Sequence, residues 1–304
     1  MSMQKVPILV VAFNRPEMVK MAMEPIRQYQ PDKLYFACDG PRKDRDGEPL
    51  LVAETQKTMM DAVDWPCEVK TLFREGNLGC AKAVYEAISC FFEHEEFGII
   101  IEDDVIVSLD FFKMCEELLP RYNNDSEIMH ISAMNFNNRQ EANTYTFQKK
   151  PFVWGWATWR RAWAKMDMDM KAWSSFKMKS LIKYYGWFQT MMMWRYWNYA
   201  YNHIETISSW ATRWHFSVVS YKGLCICPRA NLSINVGCST SGTHYHSEDI
   251  DPYSHLKIGK LVFPLVHPER IALDYAQLKL DNRDFLRVRI LGAKKRILRL
   301  FHVK

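Results

Sequence analysis

Three consecutive carboxylates, Glu102, Asp103 and Asp104, follow the apolar run Phe97–Ile101. Acids packed this closely repel one another, and burying them without a cation is costly. Oxygen-only donors suit a hard divalent ion, Mg2+ or Mn2+, which completes its shell with water and substrate phosphates. Such an ion bridges a diphosphate and stabilises the charge developing on a leaving group. An acidic triplet taken alone reads as a solvated loop; its position after a buried strand favours a metal.

Three further polar clusters follow apolar runs. Val10-Val-Ala-Phe-Asn-Arg-Pro-Glu turns sharply from strand to helix and presents backbone amides and a side-chain amide toward a ligand; the plain alternative is a turn capped by an Asn. Asp39 can accept hydrogen bonds from a ribose or base, although Asp-Gly is also an ordinary turn pair. Arg74-Glu-Gly-Asn-Leu-Gly-Cys-Ala-Lys opens a helix with two glycines and two cations, Arg74 and Lys82, and suits an anionic diphosphate. It lacks Gly-x-Gly-x-x-Gly and Gly-Lys-Ser/Thr, which disfavours a dinucleotide fingerprint or a P-loop.

The elements that must carry these clusters alternate. Val6–Ala12, Lys33–Cys38, Glu68–Phe73 and Phe97–Ile101 read as buried strands, and Met18–Tyr29, Leu50–Asp64 and Gly79–His94 as helices between them. A β-α-β-α-β-α-β order predicts an α/β fold with a doubly wound, mostly parallel sheet flanked by helices. Ligands of such sheets bind beyond the carboxyl ends of the strands, where all four clusters fall. Ile128–Met134 and Tyr145–Phe152 suggest further strands, a helical aromatic-rich region runs from Ala157 to Asn202, and Ser209–Tyr221 fits helix or strand.

The chain has 304 residues, 48% of them hydrophobic and 25% charged, the balance of a globular protein. Its net charge of +5 is concentrated after Arg283, and the near-neutral body gives nucleic-acid binding no support. No apolar run is long enough to cross a membrane. Eight scattered cysteines give no zinc spacing and suggest reduced, mostly buried thiols in a cytoplasmic protein.

Taken in order, VVAFNRPE, ACDGPR, REGNLGCAKAV and IIIEDDVIVSLDFF resemble the GT-A fold glycosyltransferases, bacterial family-two-like enzymes and the animal N-acetylglucosaminyltransferase family in particular. Trp154-Gly-Trp-Ala-Thr-Trp-Arg-Arg-Ala-Trp is similar to a G-W-x-x-x-R-x-x-W segment of those enzymes. The resemblance implies a transferase moving a hexosyl or N-acetylhexosaminyl group from a UDP-sugar to a glycan or lipid-linked glycan, with Mn2+ or Mg2+ and inversion. It places Phe13, Asn14, Arg15, Asp39, Arg74, Lys82, Glu102 and Asp103 around the donor, Asp104 on the metal, and Trp154, Gly155 and Trp156 along the donor and acceptor cleft. It also implies one domain over residues 1–265, with the nucleotide part near 1–135, the acceptor part near 136–265 and a basic tail over 266–304.

The family's W-D-D-W stretch, which holds the catalytic base, corresponds to Ser209-Trp-Ala-Thr-Arg-Trp-His, where Ala211 and Thr212 replace the carboxylates. Glu205, just upstream, is the base candidate, with Asp167 and Asp169 after the Trp-rich segment as alternatives, against the plain reading of a surface acid. His244 in the loop Gly242-Thr-His-Tyr-His is a second metal candidate. The stretch from Tyr184 to Tyr199 reads as core, with acceptor stacking or a membrane-facing patch as the alternatives. The tail, Phe285–Phe301, mixes apolar and basic residues and suits peripheral attachment to the anionic inner face of a membrane, lost on truncation at Asp281. A sugar-phosphate nucleotidyltransferase and a non-catalytic nucleotide- or glycan-binding protein of the same fold remain open.

Overall fold

The computed structural model describes residues 5–137, 142–237 and 256–283. The first hundred residues follow the expected alternation: β1 (Ile8–Ala12), α1 (Pro16–Tyr29), β2 (Lys33–Cys38), α2 (Glu48–Asp61), β3 (Glu68–Phe73), α3 (Cys80–His94) and β4 (Phe97–Glu102). β1 is apolar at every position and wholly buried, because helices cover both faces of the sheet around it. Pro16 opens α1, where a missing backbone donor costs nothing.

The second half continues with β5 (Val105–Val107), α4 (Leu109–Arg121), β6 (Ile128–Ser132), β7 (Tyr145–Gln148), β8 (Trp156–Trp159), α5 (Arg160–Trp163), a 3-10 turn (Lys171–Ser175), α6 (Lys179–Asn202), α7 (Trp210–Ser220), β9 (Leu224–Pro228) and β10 (Ser233–Asn235). Among the described residues the main sheet runs β3-β2-β1-β4-β8-β6-β9-β7, and β5 pairs with β10 in a separate ribbon. β1 to β4 are mutually parallel, β8 is antiparallel to β4 and β6, and β9 is parallel to β6. The fold is therefore α/β with a mostly parallel central sheet flanked by helices.

Two assignments change. The helical region expected from Ala157 begins instead as strand β8, whose Trp-Ala-Thr-Trp is fully buried and fills the gap between β4 and β6. Periodicity cannot separate a short buried strand from a buried helical turn. The ambiguous Ser209–Tyr221 segment is α7, capped by Ser209, whose hydroxyl accepts from the Thr212 amide at 3.3 Å.

The core divides in two. The larger part surrounds the sheet; the smaller joins Trp173, Leu181, Tyr185, Met193, Trp197, Phe216 and Leu278. Most of the aromatic surplus is thus packing, although Trp187 and Phe188 are more than half exposed after a break in α6 at Gly186. Within 266–283, Leu273 bridges Phe147, Leu278 is buried, and the Lys150 ammonium donates to the Asp281 carbonyl at 2.9 Å.

Candidate active site at the carboxyl edge of the sheet

Parallel pairing of β1 with β2 and β4, and of β2 with β3, sends the four following loops to one edge. Asp103 and Asp104 follow directly on β4. The Arg15 guanidinium spans both: Nη2 donates to Asp103 Oδ1, Nε donates to Asp103 Oδ2 at 3.2 Å, and Nη1 donates to Asp104 Oδ2 at 2.9 Å. The Asp103 side chain is 3% exposed and that of Asp104 is 14% exposed, so Asp104 is the more accessible of the pair.

Three acids face this one guanidinium. Burial, reinforced by Asp104 and Asp103, pushes Glu102 up to about 8. Burial also raises Asp103 to about 6, with Arg15 pulling the other way. An excess of negative charge therefore remains after Arg15 is counted.

The β5–β10 ribbon supports Asp104 from the other side. Asn235 Nδ2 donates to Asp104 Oδ1 at 3.0 Å, and the Val236 amide donates to the Asp104 carbonyl at 2.8 Å. A Cβ on Gly237 would lie 2.4 Å from Asp104 Oδ2, so only glycine leaves the carboxylate in place. His244 lies outside the described residues.

Loops after β2 and β3 are zipped together. Asp39 is buried, and its carboxylate accepts from the amides of Gly40, Leu78 and Gly79 at 3.0 to 3.2 Å. Asn77 Nδ2 donates to the Gly40 carbonyl at 2.9 Å, while a Cβ on Gly40 would strike the Gly76 backbone at 2.5 Å. Asp39 thereby anchors the segment that opens α3. Arg74 and Lys82 both meet Glu86, at 3.0 and 3.9 Å, on the flank of α3.

Glu48 and Arg42 complete this edge and were not singled out from the sequence as site residues. Glu48 is 5% exposed and accepts from Asn14 Nδ2 at 3.0 Å and from the Arg42 amide at 2.7 Å, with the Arg42 guanidinium also bound to it. Those bonds hold its carboxyl below the usual range, the Arg42 side chain foremost. Arg42 in turn lies 5.6 Å from the centre of the Phe13 ring. The one hint was Arg42 itself, inside ACDGPR; Glu48 looked like any first-turn acid.

β8 brings the tryptophan segment to the same edge. Ile100 pairs with Trp156, so Gly155 and Trp154 continue alongside Ile101 and Glu102. Gly155 has φ +71 and its missing Cβ would meet Val107 at 2.4 Å, which demands glycine on both counts. Trp156 is fully buried and stacks between His130 and Trp210, with ring centres 5.0 and 5.4 Å away. Of the three, Trp154 is the ring left partly exposed to a ligand.

Trp210 also starts α7. Three residues on, Arg213 is 4% exposed and donates to the carbonyls of Ser209 at 3.1 Å and Ile204 at 2.7 Å, fixing the turn that carries exposed Glu205. A cavity of about 850 Å³, lined by Lys165, Lys171, Lys177, Lys222 and Asp167, lies instead where β8 ends and β9 begins, at the opposite edge.

The strand order and the acid-rich carboxyl edge define an α/β protein with a mostly parallel sheet and a polar site at its carboxyl edge. No family model matches the chain, and no curated protein matches it in sequence. Among solved structures it is similar to HddC from Yersinia pseudotuberculosis, at 12% identity over 51% of this chain and 77% of that one, with a TM-score of 0.31. It is also similar to the 4-diphosphocytidyl-2C-methyl-D-erythritol synthase of Anaerococcus prevotii, at 8% identity over 52% and 74%, TM-score 0.32. A further similar structure is a putative glucose-1-phosphate thymidylyltransferase from Bacillus anthracis, at 12% identity over 53% and 74%, TM-score 0.31. Likeness at this level assigns no activity.

Proposed function

We propose that the protein is a metal-dependent glycosyltransferase taking a sugar from a nucleoside diphosphate, UDP first among the candidates, to a hydroxyl of a glycan or lipid-linked glycan. The observation that carries this reading is the convergence of Glu102, Asp103, Asp104 and Arg15 with the loops after β1, β2 and β3 on one sheet edge beside Trp154. The residues fit a hard cation in chemistry: every acidic donor is oxygen, and the charge excess left by Arg15 is what a divalent ion neutralises. Asp104, the more exposed aspartate, would hold it. Bound there, Mn2+ or Mg2+ supplies neutralisation of the diphosphate leaving group.

The chain's own groups account for the rest. Asp103 orients Arg15, whose guanidinium is placed to meet phosphate oxygens. Glu48 positions Asn14 and Arg42, and Arg42 with Phe13 forms a flat platform suited to a base. Trp154 offers an apolar face to a sugar ring. Glu205 accepts the proton of the acceptor hydroxyl, the role that direct displacement with inversion requires.

One observation favours a second reading, nucleotidyl transfer to a sugar phosphate. Arg15, in the turn after β1, is held directly against the carboxylates, where a cation also serves attack at an α-phosphorus. Pyrophosphate release from a nucleoside triphosphate and a sugar phosphate identifies that reaction; nucleoside diphosphate release from a nucleotide sugar identifies ours. Tight nucleotide binding without either product marks a binding protein. No helix among the described residues is long and apolar enough to cross a membrane. Attachment through the basic tail is tested by deleting residues after Arg283, since Asp281 is buried in the body; unchanged co-sedimentation with anionic vesicles refutes it.

The decisive experiment is thermal stabilisation by UDP, GDP and CMP, with and without Mn2+, of the wild type and Asp104→Ala. A ligand that binds only the folded state raises the melting temperature. We expect UDP with Mn2+ to stabilise the wild type and the metal-dependent part to vanish in the variant. No shift with any nucleotide overturns the proposal.

A further inference from the structure

The far end of α3 carries a second cluster, remote from the carboxylates. Cys90, Glu93 and His94 stand at i, i+3 and i+4, spacings that share one helix face. The Cys90 sulfur, a Glu93 oxygen and a His94 ring nitrogen all lie within 4.8 Å of one another. Among the described residues this is the group of histidine, cysteine and acid side chains whose ligand atoms are gathered tightly enough for a single ion.

We propose that Cys90, Glu93 and His94 form a binding site for one thiophilic divalent cation, zinc being the fitting ion. Sulfur and imidazole nitrogen select a soft or borderline metal over the hard ion suited to the carboxylate edge. Zinc holds sulfur at about 2.3 Å and nitrogen at about 2.0 Å, so its ligands stand about 3.5 Å apart. Glu93 and His94 are both exposed, so their side chains have room to turn toward a common ion.

A second observation points the same way. His94 is the last residue of α3, a 15-residue helix, and the unpaired carbonyls of a helix C-terminus favour positive charge. Lys33, on the neighbouring strand, is already paired with Glu95 at 3.0 Å. Three protein ligands leave a fourth position for water. Binding converts the Cys90 thiol to a thiolate and releases its proton to solvent.

The test uses the full chain and Co2+ as a spectroscopic stand-in for zinc. We expect one equivalent of Co2+ to give a thiolate-to-cobalt charge-transfer band with tetrahedral visible bands. Cys90→Ser abolishes the charge-transfer band and His94→Gln weakens binding, whereas Cys80→Ser and Asp104→Ala leave both unchanged. Zn2+ in slight excess raises the melting temperature of the wild type and Asp104→Ala and leaves that of Cys90→Ser where it was. Absence of the band in the wild type, its persistence in Cys90→Ser, or its loss in Cys80→Ser overturns the proposal. Because the readout is the metal itself, the result is independent of the transferase reading.

Discussion

Acid should loosen the wall behind the candidate cleft through one buried histidine. His130 is fully buried; its Nε2 donates to the Phe152 carbonyl at 2.9 Å, and its Nδ1 accepts from the Trp214 indole at 3.2 Å. Both nitrogens are committed in the neutral ring, since a carbonyl can only accept and an indole N–H can only donate. Burial lowers the group from 6.5 to about 3. A depressed histidine leaves stability intact above the unfolded value of 6.5 and removes it as pH falls from there toward 3, because the unfolded chain binds the proton and the folded one does not. At pH 5 the unfolded ring is about 1.5 pH units into protonation, and at about 1.36 kcal/mol per unit the loss is about 2 kcal/mol. Gln in place of His130 keeps a donor and an acceptor and does not titrate. Denaturant unfolding at pH 7 and pH 5 should show the wild type losing about 2 kcal/mol more than His130→Gln. Buried His215, also lowered, is present in both proteins and cancels. Equal losses would refute the reasoning.

Other substitutions probe the edge directly. Gly155→Ala forces a left-handed backbone on alanine and a Cβ against Val107, and should cost about 2 kcal/mol or more by thermal or denaturant unfolding. Asp39→Asn weakens the acceptor for the Leu78 and Gly79 amides, with an expected stability loss of about 1–3 kcal/mol; a neutral result would show that these bonds are dispensable. Gly237→Ala displaces Asp104 and should diminish the Mn2+-dependent part of nucleotide stabilisation while the ligand-free melting temperature stays within a few degrees of wild type. Arg15→Ala removes the cation that Asp103 and Asp104 now share, so Mn2+ alone should stabilise the variant more than the wild type; equal shifts would mean that Arg15 and the ion do not compete for the same charge.

The first half was legible because its strands are apolar runs and its helices α1 and α3 are amphipathic, and each signal is local. Pro16 at the first turn of α1 and the acids after β4 needed no tertiary information. The second half resisted for physical reasons. β8 is a buried strand of four residues, too short for its period to show, and only the gap between β4 and β6 makes it one. Glu48 gained its place by a turn that carries it to Asn14, 34 residues away, and nothing in Gly47-Glu48-Pro49 announces that. Likewise Cys90, Glu93 and His94 stand in a readable helical spacing, yet only the folded helix shows that their ligand atoms gather within 4.8 Å of one another.

Sequence alone determined the strand order of chemistry: which residue types stand at the carboxyl ends of β1 to β4, and that acids dominate there. Tertiary structure decided how those groups are used. It set Arg15 across Asp103 and Asp104, spent the Asp39 carboxylate on the amides before α3, and turned Arg74 and Lys82 toward Glu86. It also brought Asn235 and Gly237, more than a hundred residues on, against Asp104. The reason is that periodicity and turn chemistry act over a few residues, whereas the partner of a charged side chain is chosen by which loops the sheet register sends to the same place.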